Sequence, residues 1–391
     1  MGCSCSKSTL SVKSTIAHVK PKEVAYVKVI DLYKNEKLYF IKENSKELIE
    51  FNIKTETGIR RTLNIKSALP SFFRIINLGE SLYICGGGDK STEFQKHTLQ
   101  LNPDTLSFTK RGNMSEGKAN MGITGLNTKH FYIAGGNNHS LLSTCEEYSS
   151  SSHTWTRMPN LNEPKSSNSL CLFQIKKQIC RNTPNLQHVL SPSHSHSPSS
   201  HFAPHCSPSH SDSLSLTCPV SPTTSGNAAG AANNQAIVYS IGGYTYDEGR
   251  SECCALIEKM NLNRLRRRWE VVPVYLGHGV CAIDAGAVQV KESIYVFGGF
   301  SLQGLNALPV NHVWAFDTNH NALWNVTQKL KPDLPFLQCN QIDLFPNMPM
   351  LRISSGVILA VGCSLNVYLF DFMNKKSKVI PNSQFHLEIN P

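Results

Sequence analysis

Four short apolar runs in this chain, each carrying a tyrosine, end on paired glycines. "SLYICGGG" closes at Gly88, "HFYIAGG" at Gly136, "IVYSIGG" at Gly243 and "SIYVFGG" at Gly299. Two more keep the pattern in degenerate form. "GVILAVGC" closes at Cys363 with one glycine replaced, and "EKLYFIKE", nearer the N-terminus, has none. Each run leads through a loop into a second apolar or aromatic stretch, a polar turn and another strand, as in "TCEEYSSSSHTWTRMP", "ALIEKMNLNRLRRRWEVV" and "VWAFDTNHNALWNV". Short alternation broken by Asn, Asp and Gly turns predicts β-hairpins rather than helices. A glycine at a strand end lets the backbone bend and pass close to its neighbour. One small sheet of this kind cannot bury its own faces. A closed ring of copies can, and it leaves few open edges.

The order of residues within these units resembles the kelch repeat: a double glycine after the second strand, then an aromatic before a turn, then tryptophan. "TCEEYSSSSHTWTRMPNLNEPKSSNS" is the nearest match, with Tyr148, Trp155, Met158 and Pro159 in sequence. The resemblance spans residues 23–390 apart from one insertion. It implies an all-β fold, a kelch-type β-propeller in which each unit is a four-stranded blade. The glycine pairs are Gly87–Gly88, Gly135–Gly136, Gly242–Gly243 and Gly298–Gly299, and Trp155, Trp269 and Trp324 are the residues expected to fill the wedges between blades. The pairs end 48, 107 and 56 residues apart. Taking the insertion out of the long interval leaves about 52, near the ~50 residues of a kelch unit. With the degenerate runs at either end the expectation is six blades, five or seven being the alternatives. Residues 384–389 or a segment near Ile16–Val19 would close the ring.

Residues 181–235 interrupt the repeat with a stretch dense in Ser, Pro and His and poor in large apolar side chains. Such a composition cannot offset its ordering entropy by burial, so the insertion is expected to be disordered, between the first and second strands of the fourth blade. Its histidines and Cys206 and Cys218 match no structural zinc spacing, and no metal is expected there. Ser191, Ser197, Ser207 and Ser221 each precede a proline and resemble sites for proline-directed kinases.

The opening "MGCSCSK" fits the pattern for N-myristoylation at Gly2, with Ser6 at the fifth position of the processed chain. One myristoyl chain holds a membrane only weakly, with K on the order of 10⁴ M⁻¹. Cys3 and Cys5 supply candidate palmitoylation sites beside it. Residues 1–22 are thus expected to be a disordered, acylated leader. No run of about 18 uncharged apolar residues occurs and no secretory signal precedes the repeats. The expected location is therefore the cytoplasmic face of a membrane, with the 13 cysteines reduced.

No G-x-S-x-G, H-E-x-x-H, Walker loop or paired CxxC appears, and "GGGDK" at 86–90 precedes no helix. Some kelch-like propellers are copper oxidases that use Tyr, Cys and His, but no such set can be picked out. The reading is a non-catalytic protein-interaction scaffold with no cofactor and no small-molecule substrate. It would bind a protein partner through its inter-strand loops and a membrane through its lipids. Cytoskeletal binding or a ubiquitin-ligase adaptor role are the alternatives that the resemblance implies. The basic runs "RLRRRWE" at 264–270 and "NKKSK" at 374–378 fall on hairpins of two different units. No aromatic platform interleaves with them, so nucleic acid is not expected.

Overall fold

The computed structural model describes residues 27–32, 37–42, 46–52, 54–66, 69–78, 81–88, 91, 93–102, 104–126, 129–175, 235–247, 250–275, 282–303, 306–309, 312–330, 350–352, 357–361, 366–371 and 376–387. The acylated leader, with Gly2, Cys3 and Cys5, lies outside the described residues. So does the insertion, apart from its last residue Gln235, and with it Ser191, Ser197, Ser207 and Ser221.

Six antiparallel sheets of four consecutive strands each account for 24 of the 29 described strands. The first holds Val27–Leu32, Lys37–Lys42, Glu47–Asn52 and Thr57–Thr62, and the second Arg74–Leu78, Ser81–Cys85, His97–Asn102 and Ser107–Asn113. The third holds Gly122–Gly125, His130–Ala134, Cys145–Ser149 and Thr154–Met158. The fourth holds Ser169–Ile175, Gln235–Ile241, Leu256–Asn261 and Trp269–Tyr275, and the fifth Gly286–Val290, Ser293–Phe297, Val313–Asp317 and Ala322–Asn325. The sixth holds Met350–Arg352, Val357–Val361, Val367–Asp371 and Lys376–Ile380. In each sheet the strands pair in sequence order. The first strands of successive sheets touch one another in turn, and that of the sixth touches that of the first. This is a β-propeller, and the described residues supply six blades.

Burial explains the sequence pattern. A second strand lies inside the ring with a neighbouring blade over each face, so both faces are apolar: Phe131, Tyr132, Ile133 and Ala134 are all buried. A fourth strand lies at the rim and is largely exposed, as in Thr154–Met158, where Trp155 and Met158 alone are covered. Apolar clusters fill the spaces between successive blades. One joins Tyr39, Ile41 and Leu48 to Phe73, Ile75 and Leu82, and another joins Tyr83 and Cys85 to Phe131, Ile133 and Tyr148. In the second, the rings of Tyr83, Phe131, Tyr148 and Trp155 stand 4.9–5.8 Å apart.

Ile175 ends the first strand of blade four and pairs with Gln235, which opens the second. The C-terminal segment adds a fifth strand to blade one, and the segment near Ile16–Val19 lies outside the described residues. His386–Leu387 runs parallel to the outer strand of blade one, pairing with Ile59 and Arg60, so chain end and chain start share one sheet.

Two assignments shift. In blade two the functional pair is Gly86–Gly87, not Gly87–Gly88. Gly86 and Gly87 have φ of 62° and 101°, matching 67° and 104° at Gly135 and Gly136. The Gly87 amide also donates to Lys118 O at 3.0 Å, as the Gly136 amide does to Lys165 O at 2.9 Å. Gly88 is an extra residue. Trp324 does not enter the wedge between blades; it is 51% exposed. Trp155 pairs with Tyr148 and donates from Nε1 to Thr98 Oγ1 and Gly112 O in blade two, at 2.9 and 3.2 Å. Trp269 likewise reaches Pro159 O in blade three at 3.0 Å. In blade five the residue opposite the buried Phe316 is Leu323, which packs inward, and Trp324 falls on the other face. One residue of offset reverses a strand side chain.

Candidate functional site

In every blade the second strand ends, and the first begins, at one end of the ring. This glycine face also carries the loops between second and third strands. The opposite, hairpin face carries the turns between third and fourth strands.

On the glycine face four residues at the same place in blades two to five share a left-handed backbone: Phe72, Asn120, Ser167 and Asp284, with φ between 52° and 60°. None is glycine. Such conformations persist only where neighbours fix them. Here each amide is bonded to the previous member: Asn120 N to Phe72 O (3.2 Å), Ser167 N to Asn120 O (2.8 Å) and Asp284 N to Ser167 O (2.7 Å). The result is an arc of backbone around the axis. Arg74 crosses it. Its Nε donates to Met121 O at 2.6 Å, and its Nη2 lies 3.3 Å from Asp284 Oδ1, so blade two is ion-paired to blade five. Arg74 is buried and its Nη1 has no hydrogen-bond partner; neither has the buried Oδ1 of Asn120.

Around this plug the loops rise unequally. In blades four and five they become β-ribbons, Tyr244–Asp247 with Arg250–Cys253 and Phe300–Gln303 with Asn306–Pro309, and the two ribbons touch. Both are rooted in the arc. Ser166 and Tyr244 exchange backbone bonds at 3.1 and 2.9 Å, and Phe300 N donates to Ile283 O at 2.9 Å. Thr245 Oγ1 adds a bond to Pro164 O at 3.1 Å. Burial pushes the Tyr244 hydroxyl up from its ordinary value despite a bond from Ser166. Tyr246 and Leu308, further along the ribbons, are 57% and 41% exposed. In blade three the loop is short, and His139 stacks edge-on with Phe94 of blade two, centroids 5.0 Å apart.

Beneath the face lie two buried ion pairs. Lys118 Nζ contacts Thr144 Oγ1 (2.8 Å), Glu146 Oε1 (3.1 Å) and Glu116 Oε1 (3.4 Å). Lys165 Nζ lies 2.6 Å from Glu258 Oε2, too oblique for a hydrogen bond. Each joins the segment leading into a blade to that blade's third strand, so both hold blade geometry.

Cysteine chemistry divides. Cys85, Cys145, Cys171 and Cys254 are buried and form no disulfide, whereas Cys253 is disulfide-bonded. A vicinal bridge with Cys254 is therefore excluded, and the expectation of reduced thiols fails at Cys253. Among the described residues no three His, Cys, Asp or Glu side chains converge as metal ligands.

The kelch glycines and Tyr148, Trp155 and Trp269 thus build and space the blades rather than line a surface. The arc and the ribbons were not singled out from sequence. The four arc residues share no residue type, and their only common mark is a place two residues before an inner strand.

The Kelch motif family matches residues 129–162, the third blade from its second strand onward. The chain thus carries a Kelch motif in its third blade, which supports the kelch-repeat reading of the propeller. The solved structure of YjhT is similar at a TM-score of 0.58 and 10% identity, covering 92% of this chain and 98% of YjhT. At that identity the likeness shows the propeller fold alone. No curated protein matches the sequence.

Proposed function

We propose that this kelch propeller is a non-catalytic interaction scaffold that receives a protein partner on its glycine face and is tethered to a membrane by acylation at Gly2, Cys3 and Cys5. The observation that carries the reading is the pair of ribbons on blades four and five. They are fixed to the arc by backbone bonds yet present Tyr246 and Leu308 to solvent. Exposed tyrosines held on a rigid base are among the usual anchors of a protein interface, and Leu308 adds apolar area on the adjoining ribbon. Kelch propellers generally bind proteins, which agrees with this use. Arg74 and Asp284 tie blade two to blade five beneath that face and so brace the surface offered to a partner.

Proximity labelling in cells separates the two parts of the reading. Tyr246→Ala with Leu308→Ala loses a set of labelled proteins while membrane association persists. Gly2→Ala moves the protein to the soluble fraction. Retention of every labelled partner by the ribbon variant overturns the interface, and unchanged membrane association of Gly2→Ala overturns the tether. The Cys253 disulfide stands against a cytosolic location, where such bonds are rare. Alkylation before lysis, followed by mass spectrometry, reads that state.

A further inference from the structure

Among the described residues, the hairpin face carries a projecting turn whose tip neither the blade packing nor the partner surface uses. In blade four the turn between third and fourth strands, residues 262–268, reads Leu-Asn-Arg-Leu-Arg-Arg-Arg. Its apex residue, Leu265, has a relative exposure of 105%. Arg264, Arg266 and Arg268 beside it are exposed. The turn is braced. Arg267 points back to blade three, where its Nη1 meets Glu147 Oε2 at 3.1 Å and Met158 S at 3.6 Å, and its Nε donates to Leu262 O at 3.2 Å. Asn263 accepts from Ala236 N at 2.7 Å. Arg264 and Arg268 (3.4 Å) both contact Glu270 Oε1. Leu265 and Arg266 are left pointing outward from a fixed base.

We infer that this tip is a second membrane contact, in which Leu265 enters the headgroup–acyl boundary and the surrounding arginines engage anionic headgroups. A single fully exposed apolar side chain ringed by cations suits an interface that is apolar at one depth and anionic at the next. A protein groove would need a wider apolar patch than one leucine. Charge alone would not need Leu265. The bracing means that little conformational freedom remains to be lost on contact.

The placement is consistent with the tether, on which the identity of the membrane rests. Residues 1–26 precede a strand that begins on the glycine face. Fully extended they reach roughly 90 Å at ~3.4 Å per residue, against blade strands of about 20 Å. The leader can therefore pass the depth of the ring. With the tip on the bilayer, the glycine face and its ribbons point away from it, open to a partner.

Co-sedimentation of the non-acylated Gly2→Ala chain tests the contact apart from the lipids. Vesicles of phosphatidylcholine with phosphatidylserine are compared with phosphatidylcholine alone. The expected result is binding to the mixed vesicles only, weakened by salt. Arg266→Ser lowers the partition coefficient about fivefold, the equivalent of ~1 kcal/mol per basic residue near an anionic surface, and Leu265→Ser lowers it by at least a comparable factor. Equal binding of Gly2→Ala and both variants, or no binding to mixed vesicles, overturns the inference. Loss with Arg266→Ser but none with Leu265→Ser also overturns it, and assigns the tip to an acidic peptide or phosphate instead. The tether is judged separately, from fractionation of the acylated protein in cells.

Discussion

Lys165→Met tests whether the fold depends on the buried lysine that leads into blade four. The Lys165 and Glu258 side chains are both fully buried, with Nζ 2.6 Å from Oε2. The other carboxylate oxygen, Oε1, accepts from Asn162 N at 2.7 Å and Asn162 Nδ2 at 2.8 Å. Methionine fills much of the lysine's volume and leaves the 2.9 Å backbone bond from Gly136 N to residue 165 intact. What is lost is, among the described residues, the only cation in contact with Oε2. Removing one partner of a buried pair costs about 3–5 kcal/mol, because the remaining charge is stranded. At the lower limit of ~2 °C per kcal/mol for larger domains, Tm falls by about 6–10 °C. The double variant Lys165→Met, Glu258→Met removes both charges and recovers most of that loss, since an apolar replacement of a buried pair is often neutral. Thermal unfolding of the Gly2→Ala chain by near-ultraviolet circular dichroism reads the order wild type ≈ double > single. A single variant within 2 °C of wild type, or a double variant no better than the single, refutes the reasoning.

Other outcomes follow from the same packing. Trp155→Phe strands Thr98 and the Gly112 carbonyl and costs about 1–3 kcal/mol, whereas Trp324→Phe stays within about 0.5 kcal/mol; urea unfolding compares them, and iodide should quench Trp324 in preference to Trp155. Burial alone would raise the Glu116 carboxyl, but the Thr144 hydroxyl at 2.5 Å, the Lys118 charge and the Asn138 amide hold it below the usual glutamate value. A depressed carboxyl stabilises the fold above its unfolded pKa, and that contribution disappears as pH falls through the folded value. The Tm deficit of Glu116→Gln should therefore be full at neutral pH and shrink below about pH 4.5; a deficit constant down to pH 3 refutes the assignment. Burial pushes the Cys145 thiol up to about 12 and raises Cys85 and Cys254 as well. Iodoacetamide at pH 8 should leave all three unlabelled in the native protein and label them in urea, as read by mass spectrometry.

What could be read from the sequence was what local physics makes obligatory. The bend after each second strand needs φ near 60° and then near 100°, and at Gly135 an added Cβ would stand 2.4 Å from Lys165 O. No side chain is tolerated there, so the glycine pairs are visible as letters. Second strands covered on both faces must be apolar throughout, so they are visible as runs. The arc on the glycine face obeys no such rule. Phe72, Asn120, Ser167 and Asp284 take a similarly unfavourable φ, but they are held in it by bonds to residues 47 or more positions away, a constraint that leaves no residue type behind. Trp324 stands outside the wedge for a related reason: the wedge selects by distance from the third-strand aromatic, not by residue type. Tyr148 to Trp155 and Phe316 to Leu323 share that spacing. The blades are thus specified locally and the two working faces relationally. On those faces substitution is expected to change partners or membrane contact while the ring stays closed, because Tyr246, Leu308 and Leu265 lie outside the clusters between blades.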